Sequence, residues 1–231
     1  MFIRHCKTIF NHYGIWAPDN HIWEVVTFDP EGHYKWFRDQ DEANYDGFVV
    51  DVIRPLIEGR AYTKLGVFAS DSDRVRLSIR ILKDSISGAF DKVTYSPSLR
   101  ERYGGPYIGL PLSRYYTDEK LEILMEGVET CEEHLDRVEQ YLCTLPLRTA
   151  KLWELALTSP DHLLICVGHA FANAAIERLI GVHDVSPQDN LEVRLLTRLD
   201  NSLMEETVDA AGETKIRTID TTNSEPFTFG S

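Results

Sequence analysis

The sequence predicts an α/β (or α+β) fold: an N-terminal aromatic β-hairpin, then irregular strand–helix units on a mainly parallel sheet, then a C-terminal hairpin. Three observations carry that reading. From residue 64 onward, short strand-like runs at 64–69, 92–95, 151–158 and 191–196 alternate with helical stretches. Strands joined by helices imply right-handed crossovers and parallel pairing. The first 48 residues hold Trp16, Trp23 and Trp36, three of the four tryptophans. Finally, 231 residues with 43% apolar and 26% charged side chains suffice to bury a sizeable core.

In chain order, His21–Phe28 and His33–Phe37 flank Asp29-Pro30-Glu31-Gly32. Pro presets the first turn dihedral and Gly supplies a positive φ, so the segment reads as a hairpin. Phe48–Ile57 reads as a short helix ending at Gly59, and Lys64–Ala69 as a buried strand. Residues 74–86 admit two periods. Val75, Leu77, Ile79 and Ile81 alternate like a strand, whereas Val75, Ile79, Leu82 and Ile86 form a helical stripe behind Ser70, Asp71 and Ser72 as caps. The stripe runs further, which favours helix. Lys92–Tyr95 is a strand, and Ser96–Tyr116, with three Gly and three Pro, is a long aperiodic loop.

Thr117 is positioned to cap a long helix whose stripe runs Leu121, Leu124, Val128, Cys131, Leu135, Val138, Leu142. Lys151–Thr158 reads as a strand, and Ser159-Pro160-Asp161 opens a buried helix to Ile180, stopped by Gly181. Leu191–Leu196 is a strand, and Leu203–Val208 with Glu213–Ile219 a hairpin. These elements divide the chain into a hairpin region (1–60), an α/β domain (61–220) and a polar tail (221–231). The pattern leaves open whether the hairpin region is a separate unit or part of the same domain.

Charge is unevenly spread. Residues 118–142 carry nine acidic side chains against two basic ones, while 74–114 carry eight basic against three acidic. The formal charge of −13 argues against non-specific nucleic-acid binding, although the basic stretch with its tyrosines keeps an RNA-binding reading open. No apolar run approaches the roughly 18 residues needed to span a bilayer. The start lacks an apolar signal segment, and Cys6, Cys131, Cys143 and Cys166 have no framework spacing. An intracellular setting, cytoplasmic or nuclear, is expected.

Catalytic motifs are absent: no G-x-S-x-G, P-loop, H-E-x-x-H or G-x-G-x-x-G occurs, and no cofactor is implied. Cys131/His134 and Cys166/His169 have a spacing that suits zinc on a helix, but Cys131 falls on the apolar stripe, and packing is the better reading. The segments Phe90–Tyr95 and Thr149–Leu155 and the ending Leu191–Asp200 resemble the leucine-rich-repeat-like, F-box-associated half of nematode F-box proteins. No F-box precedes them. The resemblance implies a partner-binding module without catalysis and supplies no site residues.

The expectation is therefore an intracellular interaction or adaptor module, not an enzyme, with a protein partner held by Arg100, Arg102, Tyr103, Tyr107, Arg114, Tyr115 and Tyr116. Arg and Tyr are the side chains that dominate interface hot spots. The alternative is a divalent-metal enzyme acting on a nucleotide or sugar phosphate through Asp71 and Asp73, at the end of a predicted strand.

Overall fold

A computed structural model describes residues 1–6, 8, 11, 43–60, 62, 64–86, 92–105, 108, 127–159, 161–185, 188–199, 202–221 and 227–230. The predicted aromatic hairpin at 21–37 and the Thr117 cap lie outside them. Among the described residues seven strands form one sheet: β1 (Phe2–Arg4), β2 (Lys64–Ser70), β3 (Val93–Ser96), β4 (His162–Gly168), β5 (Val193–Leu199), β6 (Ser202–Val208) and β7 (Thr214–Asp220). Their order is β3-β2-β4-β1-β5-β6-β7. The first four in that order pair in parallel, and β1-β5-β6-β7 are antiparallel. The expected α/β class, parallel strands and C-terminal hairpin are what the chain forms.

Helices cover both faces. Residues 43–58 (α1) include a π-helical turn at Val49–Ile53 and end at Gly59, as expected. With α2 (Asp73–Ser85) they bury Phe48, Ile53, Val75, Ile79 and Leu82 against Ile3, Val67, Ile165 and Val167 of the sheet. On the other face lie α3 (Cys131–Cys143), α4 (Leu147–Thr158) and α5 (Ala170–Leu179). Val138, Leu142, Trp153 and Ile176 pack there on Phe2, Phe68, Leu164 and Cys166. Alternate residues of β4 thus enter opposite cores, as a strand covered on both faces requires.

Three expectations are corrected. Lys151–Thr158 belongs to helix α4, not a strand; its buried residues, Ala150 and Trp153, are three apart. A short apolar run does not distinguish strand from helix by period alone. The expected helix from Ser159 to Ile180 divides into β4 and α5. A central strand is apolar on both sides and so imitates a helix buried all round. The expected acidic helix does not run through residues 127–130: α3 starts after Thr130, behind a turn at Gly127 (φ 81°), and Cys131 is exposed, while residues 117–126 lie outside the described ones. The helical reading of 74–86 holds. The tail contributes to the core, because Phe229 stacks on Trp153 with ring centroids 5.5 Å apart.

Candidate active site

The parallel strands end on a common edge, where open α/β sheets bind ligands. There the register of β1 and β4 pairs Arg4 with Gly168. The next residue on each strand is a histidine, His5 and His169, and both are buried. Their rings meet edge to face with centroids 5.0 Å apart. β1 is only three residues long, so few ladder bonds hold it. Side-chain amides supplement them: Asn173 donates to the Ile3 carbonyl (3.3 Å), Gln188 to Phe2 (3.0 Å) and Asn190 to His5 (3.1 Å).

The ring nitrogens have defined roles. Nδ1 of His5 lies 2.6 Å from the Cys6 carbonyl oxygen, which can only accept, so Nδ1 carries the proton and Nε2 keeps its lone pair. Nε of Arg74 donates to Nδ1 of His169 (3.3 Å), which makes Nε2–H of that ring the donor toward Ser70 Oγ (3.0 Å) and Ser72 Oγ (3.2 Å). Burial, reinforced by the cations Arg74 and Arg4, holds both imidazoles well below the ordinary histidine range. Both are neutral at neutral pH. Arg74 is itself buried, in the first turn of α2. The Arg74 guanidinium thus meets two neutral imidazoles, and Arg4, whose Nη1 donates to the Gln188 carbonyl (2.7 Å), lies near enough for its charge to act on both rings, an arrangement suited to a tetrahedral oxyanion.

Beyond β3 the chain brings Glu101 to the same edge. Its Oε2 accepts from the Phe171 amide (3.4 Å), two residues past His169, and its Oε1 from the Arg102 amide (3.0 Å). The Arg102 guanidinium lies over the Phe171 ring, 5.3 Å from its centroid.

Of the residues expected from sequence, Arg100 grips Asp71 with both arms of its fork (2.6 and 2.9 Å). That hydrogen bonding outweighs burial and holds the Asp71 carboxyl below the usual range. With both oxygens so engaged Asp71 is not presented as a metal ligand, and Asp73 is an exposed residue in the first turn of α2. Arg102 donates to Cys131 Sγ (2.8 Å), and Tyr103 is exposed. Tyr107, Arg114, Tyr115 and Tyr116 lie outside the described residues. Cys166 sits inside the sheet, its thiol pushed up to about 12 by burial, and does not join His169 on a helix. Among the described residues no group of three or more His, Cys, Asp and Glu is placed to hold a metal.

Arg4, His5, Arg74, Glu101 and His169 are not marked as a site by any sequence motif. The available signal is a repeated pattern, an apolar strand running into a histidine: Phe2-Ile3-Arg4-His5 and Cys166-Val167-Gly168-His169. Reading the second as a helix conceals it.

No family model matches the sequence, and no curated protein does. Solved structures do. A mycobacterial glucosyl-3-phosphoglycerate phosphatase in complex with VO3 is similar at 14% identity and TM-score 0.56, covering 100% of this chain and 98% of that one. A structure described as mycobacterial hydrolase 1 gives 14% identity and TM-score 0.55 over 100% and 97%. Phosphoglycerate mutase from Bacillus anthracis gives 13% and 0.53 over 96% and 92%. At these identities the likeness establishes the fold. That phosphatases and a mutase share this fold, with histidines gathered at one strand edge here, overturns the expected non-catalytic adaptor.

Proposed function

We propose that the protein is a phosphatase that cleaves phosphate monoesters through a phosphohistidine at Nε2 of His5. The observation that carries this is the tie between His5 Nδ1 and the Cys6 carbonyl. It leaves Nε2 unprotonated on a buried ring that packs against His169, which Arg74 in turn contacts. Arg4, Arg74 and Nε2–H of His169 neutralise the non-bridging phosphoryl oxygens, and His5 attacks phosphorus in line with the ester oxygen. The P–O ester bond breaks as the N–P bond forms. Glu101 supplies the proton that the departing alkoxide needs, then takes one from the water that attacks the phosphohistidine. Inorganic phosphate leaves and His5 is restored.

The alternative from sequence, an enzyme on a nucleotide or sugar phosphate, is supported in its phosphate ester and not in its Asp71/Asp73 metal site, since Asp71 is committed to Arg100. The test is hydrolysis of p-nitrophenyl phosphate by the wild type and His5→Ala. A loss of at least about a thousandfold is expected, with acid-labile phosphate trapped on the wild type alone. Equal turnover by the two proteins rejects His5 as nucleophile.

A further inference from the structure

The loop that carries Glu101 is gripped by one side chain from another element. Arg137, on α3, points its guanidinium into the curl of residues 97–101. Nη1 donates to the Ser98 carbonyl (2.8 Å), with longer contacts from the two Nη atoms to the carbonyls of Pro97 (3.5 Å), Arg100 (3.4 Å) and Glu101 (3.4 Å). The same guanidinium is fixed from behind. Nε and Nη2 fork onto the two Glu129 oxygens (2.6 and 2.8 Å), and Nη2 also donates to Nδ1 of the buried His134 (2.6 Å). A planar fork held on its carboxylate side presents its remaining donors in a fixed direction.

Glu129 closes the other end of the loop. Its Oε2 accepts from the Tyr103 amide (2.8 Å), and its own amide donates to the Tyr103 carbonyl (2.9 Å). Burial would raise the Glu129 carboxyl, but Arg137 and the Tyr103 amide hold it well below the usual range, so the anchor stays ionised. Gly105 completes the seam. At φ 53° it lies so close to residue 127 that a Cβ would meet the Gly127 carbonyl oxygen at 2.1 Å. Glu101 is thus bracketed on both sides by contacts that originate in residues 127–137. By contrast α3 does not depend on Arg137 for its own packing, which rests on Val138 and Leu142, both fully buried.

We propose that Arg137 is a positioning residue that sets the Glu101 carboxyl where it exchanges its proton with the ester oxygen. This rests on the phosphatase reading above. Proton donation matters only for a poor leaving group. An alkyl phosphate expels a strongly basic alkoxide, whereas p-nitrophenyl phosphate expels a stabilised phenolate that needs no proton. A positioning defect therefore separates the two esters, and general loss of structure does not.

The experiment compares kcat/KM, which reports formation of the phosphohistidine and not its hydrolysis, for wild type, Arg137→Ala, Arg137→Lys, Glu101→Gln and the Arg137→Ala/Glu101→Gln double variant on 2-glycerophosphate and p-nitrophenyl phosphate. Arg137→Ala is expected to lose about 10- to 100-fold on the alkyl ester and less than about threefold on the aryl ester. Glu101→Gln should show the same contrast, and the double variant no greater loss than Glu101→Gln alone. Arg137→Lys keeps the charge beside Glu129 without the fork, so it falls between; it carries the same contrast if Arg137→Ala does not fold. Equal losses on both esters, no loss on either, or losses that multiply in the double variant overturn the positioning role. Those results leave the His5 chemistry standing. Turnover of neither ester by the wild type rejects the phosphatase reading, and this inference with it.

Discussion

His5 and His169 are ionisable groups enclosed almost completely by protein, and two arginines act on both. Charging either ring there opposes desolvation first and like-charge repulsion second. The consequence for stability has a definite sign. In the unfolded chain both rings take up protons near pH 6.5, while in the fold they resist until far lower pH, so the unfolded state binds more protons in between. Stability is complete above about pH 6.5 and falls as the pH drops below it, by at most about 1.4 kcal/mol per pH unit for each histidine. Urea unfolding at pH 7.5, 6.0 and 5.0 should show this slope in the wild type and a shallower one in His169→Asn. An equal slope in both would mean that His169 is not held neutral by its surroundings. A bound phosphate dianion brings negative charge beside both rings and is expected to weaken the same slope.

Elements with a strong period are legible in the sequence, and those on which the site depends are not. The stripe Val75, Ile79, Leu82, Ile86 identifies α2, and the turn around Gly212 identifies the β6–β7 hairpin. β1 is invisible because three residues hold no period, and its pairing with β4 and β5 is supplemented by Asn173, Gln188 and Asn190, all distant in sequence. β4 reads as helix because both its faces are covered. The histidine pair exists only through the β1–β4 register, a long-range fact that no local pattern encodes. Capping lies within reach at Thr130, yet the longer stripe from Leu121 masks it. There the Thr130 hydroxyl accepts from the Glu133 amide (3.1 Å), and Glu133 Oε2 accepts from the Thr130 amide (2.8 Å), a reciprocal capping box. Thr130→Ala should cost about 1 kcal/mol and lower the melting temperature by about 2–4 °C. An unchanged melt would show that the capping box does not hold the first turn of α3.

At the scale of the whole molecule the site has no single owner. His5 follows β1, Ser70 and Ser72 end and follow β2, Glu101 follows β3, and His169 follows β4, so four chain segments meet at one point. An anion bound there would meet loops whose roots span the parallel half of the sheet. The protein as a whole is acidic, with a formal charge of −13, so a thermal response to anions tests the local arginines and not a general affinity for negative charge. A ligand at a hundred times its dissociation constant stabilises the native state by about 2.7 kcal/mol, or about 5–10 °C for a chain of this size. Saturating orthovanadate, which imitates the phosphoryl group, should raise the melting temperature by that order. Arg74→Met keeps the alkyl stem in the buried first turn of α2 and removes the guanidinium, so it should melt with no vanadate response. A shift that persists in Arg74→Met would place the oxyanion elsewhere on the surface and detach the histidine pair from phosphate chemistry.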